Sequence, residues 1–260
     1  MKESVRLYFA EGLGAFFLVF AATGAIIVNV LYEGVITHAG VAAVWGLTVM
    51  SIIYAVGDVS GAHINPAVTI GFWIARRFPG ERVVPYILSQ CAGAIAASFV
   101  LSLLFGRDTS LGATMPVGPE MQSFALEILL TFFLMFVILS VAAGSKEKGI
   151  MAGIAIGAVV GIEAMFAGPV SGASMNPARS LGPALVSFSL AHLWIYLSAP
   201  LIGAALAVPA FGMVYGRAAG GDRADEGGRH RASTLRQAQD RLTSARTDLT
   251  DETLNQVQDD

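Results

Sequence analysis

Charge and cysteine are what this sequence has least of. Only 13% of its 260 residues are Asp, Glu, Lys or Arg, and Cys91 is its one cysteine. A single thiol excludes an intrachain disulfide, and its place in an apolar run marks it as a small buried hydrophobe. The 16 Lys and Arg nearly balance the 19 Asp and Glu, for a net charge of −3. No basic patch is present to hold nucleic acid. His63 has no ligand-type residues spaced to join it, which argues against a metal site. No Ser–His pair or paired carboxylates fall at one depth of the chain, which argues against an enzyme. Nothing in the sequence calls for a cofactor.

What is there instead is apolar length. Hydrophobic residues make up 55% of the chain. Six segments are long enough to cross a bilayer, at about 7–30, 39–56, 83–105, 123–143, 150–167 and 192–215. The first is too long for the apolar core of a signal peptide and carries Glu11, so it reads as a retained span. The expected class is an all-α membrane protein.

Two short stretches break this pattern. Residues 60–71 read SGAHINPAVTIG and residues 171–182 read SGASMNPARSLG, with Ser, Gly, Ala, Asn, Pro, Ala and Gly at matching places. The match is gapless and identifies an internal repeat. Asn is a preferred helix N-cap and Pro is at home in the first helical position. Each copy therefore predicts a loop that turns into a helix at Asn65-Pro66-Ala67 or Asn176-Pro177-Ala178. The helices should run over 66–76 and 177–188, each about half the thickness of the hydrocarbon core. Each repeat, about 5–105 and 122–215, is then span, span, half-helix, span. Three spans is an odd number, so the second repeat must be inverted in the membrane. The half-helices enter from opposite faces and bring their positive ends and Asn side chains to one place.

The repeat extends beyond the boxes. Gly46 and Gly157 share the offset of Asn65 and Asn176, and Gly93-Ala94 parallels Gly203-Ala204. Small residues of this kind let helix backbones approach in lipid. Glu11 and Glu127 are also mates, and both are expected to accept backbone N–H groups of the re-entrant loops. Glu163 has no mate, since Ile52 stands at its place in the first copy. It is grouped with the structural acids as a partner of the second box loop, the alternative being contact with the outer half of the pore. Backbone carbonyls of Gly61, Ala62 and His63, and of Gly172, Ala173 and Ser174, should form ladders of acceptors. His63 faces the cytoplasmic half as a lining residue, with a pH gate as a further role.

Lys2, Arg6, Arg76, Arg77, Arg82, Lys146 and Lys148 fall on one side, against Arg107 and Arg179 on the other. That split predicts cytoplasmic N- and C-termini. Residues 1–216 read as one membrane-embedded domain, and 217–260 as a polar, disordered cytoplasmic tail.

Paired Asn-Pro-Ala boxes within six spans resemble the aquaporin family, the major intrinsic proteins. The run 168–184, GPVSGASMNPARSLGPA, resembles the nodulin-26-like branch and its bacterial relatives. The resemblance covers about 5–215. It implies a homotetramer in a plasma or inner membrane, surrounded by lipid, with one pore per subunit. It also implies a passive channel for water and small neutral solutes (glycerol-like polyols, urea, metalloid acids) that excludes ions and protons. Four positions line the constriction in that family, and here they map to Trp45, Ala164, Ala173 and Arg179. Water-selective members carry His at the place of Ala164, so alanine implies a wider, more amphipathic pore. Many glycerol facilitators carry Asp where this chain has Ser180, so it departs from that type. A water-only channel is the alternative within the family, and an alternating-access transporter the alternative outside it.

Overall fold

The computed structural model describes residues 3–106, 110–143 and 149–216. The expected tail lies outside the described residues, as do Lys2, Arg107, Lys146 and Lys148. Among the described residues, six helices are long and apolar enough to cross a membrane. They are α1 (Glu3–Leu31), α2 (Thr37–Ser60), α4 (Val83–Phe105), α5 (Glu120–Ala142), α6 (Ala152–Ser171) and α8 (Leu193–Tyr215). Between them lie two short helices, α3 (Pro66–Ile74) and α7 (Pro177–Ser187). The chain is a multi-pass, all-helical membrane protein.

The packing follows the repeat. α1 packs on α4 as α5 packs on α8, and α2 packs on α6 across the centre. Each half-helix lies against the last span of the other repeat, α3 on α8 and α7 on α4. The small residues are where the backbones touch. A Cβ on Gly46 would lie 2.6 Å from the Gly157 carbonyl oxygen, and one on Gly157 would lie 2.6 Å from that of Gly46. Any side chain at either place would force α2 and α6 apart. The mates Gly93 and Gly203 press in the same way on the carbonyls of Gly12 and Ile128.

Several helix ends differ from expectation, for physical reasons. α2 runs past residue 56 to Ser60 and α6 past 167 to Ser171. Both stop where a glycine takes the left-handed conformation, Gly61 at φ +87° and Gly172 at φ +85°. Loss of hydropathy came earlier than loss of helix, and Pro169 sits inside the last turn of α6. α3 and α7 end slightly earlier than expected, at Ile74 and Ser187. α1 contains a π turn at Val19–Thr23, for which the apolar sequence VFAAT gave no signal.

Candidate functional site

Each re-entrant loop is built by one carboxylate. After Gly61 the backbone alternates in hand, with Ala62 at φ +46° and Ile64 at φ +45°; Ala173 (φ +41°) and Met175 (φ +54°) repeat the pattern. Alternation of this kind turns successive N–H groups to one side and makes an anion-binding nest. Glu11 fills the first nest, accepting from His63 N at 2.9 Å and Ile64 N at 2.7 Å. Glu127 fills the second, accepting from Ser174 N and Met175 N, each at 2.8 Å. Ser60 and Ser171 donate to the same carboxylates at 2.7 and 2.8 Å. Tyr86 and Tyr196 donate to the carbonyls of Ser60 and Ser171 at 2.9 and 2.6 Å. With the N–H groups turned to the acids, the carbonyls face the other way.

Each loop then delivers an Asn to a helix N-terminus. The Asn65 side-chain oxygen accepts from Ala67 N at 2.8 Å. That of Asn176 accepts from Ala178 N at 3.0 Å and Arg179 N at 3.2 Å. The amide nitrogens cross-link the two loops: Asn65 Nδ2 donates to the Met175 carbonyl at 2.8 Å, and Asn176 Nδ2 to that of Ile64 at 2.9 Å. One N–H of each amide is thereby fixed, so the second has a set direction. Pro66, Pro177, Ala67 and Ala178 are buried where the two half-helices meet.

Two cavities flank this meeting point. The inner one, about 680 Å³, is lined by Asn65, Asn176, Gly61, Ala62, His63 and Ser174, among others. The outer one, about 560 Å³, is lined by Ala164, Gly172 and Arg179, among others. Trp45 lines both. Ala173 is buried between Gly172, on the outer cavity, and Ser174, on the inner one. Trp45 lies eight residues inside the start of α2 and Ala164 seven inside the end of α6, about 12 and 10 Å of helix. Ala164 is therefore nearly two turns deep, not within one turn of the helix end as hydropathy suggested.

Arg179 is 1% exposed. Its Nη1 donates to the Gly112 carbonyl at 2.9 Å, and its guanidinium carbon lies 4.7 Å from the centre of the Trp45 ring. A flat cation stacked on an indole is held in plane and keeps its remaining N–H groups free to point elsewhere. Its Nε has no protein partner among the described residues. The carbonyl of Gly112 could not be read from side chains. Ser180 Oγ accepts from Thr114 Oγ1 at 2.8 Å and shares a hydrogen bond with Ser174 Oγ at 2.6 Å.

His63 lines the inner cavity but is boxed in by Phe72, Phe78 and Tyr86, at ring distances of 4.8, 4.7 and 5.2 Å. Its Nδ1 meets Thr69 Oγ1 at 3.1 Å.

Glu163 corrects an expectation. The N–H groups of the second box loop are already taken, those of Ser174 and Met175 by Glu127 and those of Ala173 and Asn176 by the hydroxyls of Ser171 and Ser174, and Glu163 lines neither cavity. It is 4% exposed, and its Oε2 has no partner among the described residues. A buried, unpartnered oxygen is a liability. Glu163→Met, similar in length but without the oxygens, is expected to raise stability by about 1–3 kcal/mol. Thermal unfolding in detergent checks this; an unchanged or lower midpoint would mean that the oxygen is satisfied in solution.

The fold and site together define a membrane-spanning protein whose two inverted halves meet at paired, Asn-capped helix N-termini between an outer and an inner cavity. A family model described as Major intrinsic protein matches residues 1–211, and the chain belongs to the major intrinsic protein family. Aquaporin NIP1-4 of Oryza sativa subsp. japonica is 50% identical over 211 residues, covering 81% of this chain and 77% of that protein. Nodulin-26 of Glycine max is 48% identical over 196 residues, covering 75% of this chain and 72% of that one. Among solved structures, the aquaglyceroporin from Plasmodium falciparum superposes with a TM-score of 0.70 at 24% identity, covering 83% of this chain and 98% of that one. That likeness speaks for the fold.

Proposed function

We propose that this chain is a passive channel that conducts water and small neutral solutes such as glycerol, and excludes ions and protons. The observation that carries this reading is the cross-linked Asn pair. Each amide has one N–H committed to the opposite loop, which leaves the other to donate to a passing oxygen. The loop carbonyls supply acceptors on either side. A neutral hydroxylated molecule can exchange its water shell for this line of donors and acceptors. A cation meets two positive helix ends and Arg179, with little water to screen them.

Trp45, Ala164, Ala173 and Arg179 form the constriction in this reading. The indole gives a flat apolar wall for a carbon backbone, Arg179 gives donors for its hydroxyls, and the two alanines leave room. Glu11 and Glu127 hold the loops and take no part in transport. Arg6, Arg76, Arg77 and Arg82 gather at the end where α1 and α4 begin and α3 ends. Their charge supports a cytoplasmic N-terminus, and with six spans a cytoplasmic C-terminus follows. A plasma or inner membrane and a homotetramer are what the family resemblance supports.

The test is stopped-flow light scattering on proteoliposomes. Water and glycerol should both pass, without saturation and without dependence on an ion gradient. Water flux without glycerol flux would make this a water-selective channel; saturable, ion-coupled flux would overturn the channel reading altogether.

A further inference from the structure

His38, at the outer end of α2, meets α6 at a place shaped to receive it. Pro169 has no N–H, so the carbonyl four residues back, that of Met165, loses its partner within the helix. His38 Nε2 lies 2.5 Å from that carbonyl oxygen. A carbonyl only accepts, so Nε2 carries the hydrogen and donates. Gly168 leaves the space for the ring, since a Cβ there would lie 2.9 Å from His38 Cε1. Three neighbouring residues of one helix thus accommodate a single side chain of the other.

The position of this clasp matters. His38 and Gly168 line the same outer cavity as Trp45, Ala164 and Arg179. Trp45 lies seven residues, about two turns, inward of His38 on one face of α2; Ala164 lies about one turn inward of Gly168 on α6. Further in, α2 and α6 are pinned again by the contact of Gly46 with Gly157. The gap between Trp45 and Ala164 is therefore held from both ends. The outer end is the softer, because Pro169 has removed a helix hydrogen bond there.

We propose that His38 is a positioning residue that sets the size limit of the channel by tying α2 to α6 outside the constriction. This rests on the reading of Trp45 and Ala164 as walls of that constriction. Without the clasp the last turns of α6 swing outward, Ala164 moves away from Trp45, and longer polyols enter. The freed carbonyl lies at the cavity mouth, where water can satisfy it, so the fold survives.

The test compares wild type with His38→Ala, His38→Phe and His38→Gln, full length, in proteoliposomes. Water, glycerol and erythritol fluxes are measured by stopped flow. Phenylalanine keeps a ring without a donor; glutamine keeps an N–H at similar reach. The erythritol-to-water ratio should rise about fivefold in the Ala and Phe variants, the population change expected for one lost hydrogen bond, and stay within about twofold of wild type in the Gln variant. An unchanged ratio in Ala and Phe, or an equal rise in Gln, overturns the proposal. Should the Ala variant not reach the membrane, the Phe and Gln pair is decisive by itself. Wild-type glycerol flux tests the constriction reading separately. If wild type passes only water, the same comparison is read on glycerol instead of erythritol.

Discussion

Ala164→His is expected to suppress glycerol flux strongly while leaving most of the water flux. Ala164 faces the outer cavity beside Trp45 and Arg179, and its methyl group is what leaves the passage wide on the α6 side. An imidazole there adds bulk opposite the indole and adds a polar group where a carbon backbone would slide. Trp45 cannot yield, because Arg179 lies 4.7 Å over its ring and is itself tied to the Gly112 carbonyl. Forcing a solute past an overfilled site costs about 1–3 kcal/mol. That corresponds to a fall of roughly 5- to 150-fold in glycerol passage. A single file of water needs less width and can exchange hydrogen bonds with the ring, so its flux should change by less than about threefold, under 1 kcal/mol. Ala164→Val, which adds bulk without polarity, should fall between the two. The measurement is stopped-flow flux of both permeants, scaled to the amount of protein reconstituted. Equal losses of both, or no loss of glycerol, would remove Ala164 from the constriction.

The parts of this molecule that were legible in its sequence are those whose chemistry is local. Asn before Pro specifies a capped helix start wherever it occurs, and duplication of the box fixed the inverted arrangement of the spans. The parts that were not legible depend on backbone groups or on competition between side chains. The carbonyl that holds Arg179 belongs to Gly112, in a loop that nothing in its side chains recommends. Pro169 looks like a helix end but lies inside the last turn, because His38, 127 residues from Met165 in sequence, takes the carbonyl that proline leaves free. Glu163 looks like a loop partner until Glu127 is seen to use both oxygens on the same loop. Tyr86 and Tyr196 could have been found, since they stand at the same offset as Gly93 and Gly203 and do the same job in each half.

The two loop carboxylates are repeat mates, and they should tolerate the same substitution equally poorly. Glu127 Oε1 accepts from Ser171 and Ser174, and Oε2 from Met175, with the residue fully enclosed. In Glu127→Gln the best orientation keeps the oxygen on the first two and turns the new NH₂ toward the Met175 N–H. Two donors, the Met175 N–H and the new NH₂, then face each other. Glu11 has the same nest, with Oε2 accepting from Ile64 N and also from Gln90 Nε2 at 2.7 Å. Gln90 Oε1 is buried and unpartnered among the described residues, so its amide can turn over to accept from a new NH₂ at position 11, but Nε2 then gives up Thr69 Oγ1, to which it donates at 3.0 Å, and moves to the place where Oε1 had no partner. Two donors are again left unmet, the Ile64 N–H and the displaced Gln90 NH₂. One unmet buried donor costs about 1–3 kcal/mol, so each Gln variant should lose about 2–6 kcal/mol. In a chain of this size that is a fall of roughly 2–4 °C in melting temperature for each kcal/mol. Glu127→Ala leaves both backbone N–H groups of the loop bare, and with them the anchor of Asn176 and Arg179, so it should not accumulate as folded protein. Thermal unfolding of the two Gln variants, side by side in one detergent, checks that the two losses match. A larger loss at Glu11 would show that the Gln90 amide does not turn, and a smaller loss at Glu127 would show that the unpartnered Glu163 Oε2 reaches the new NH₂.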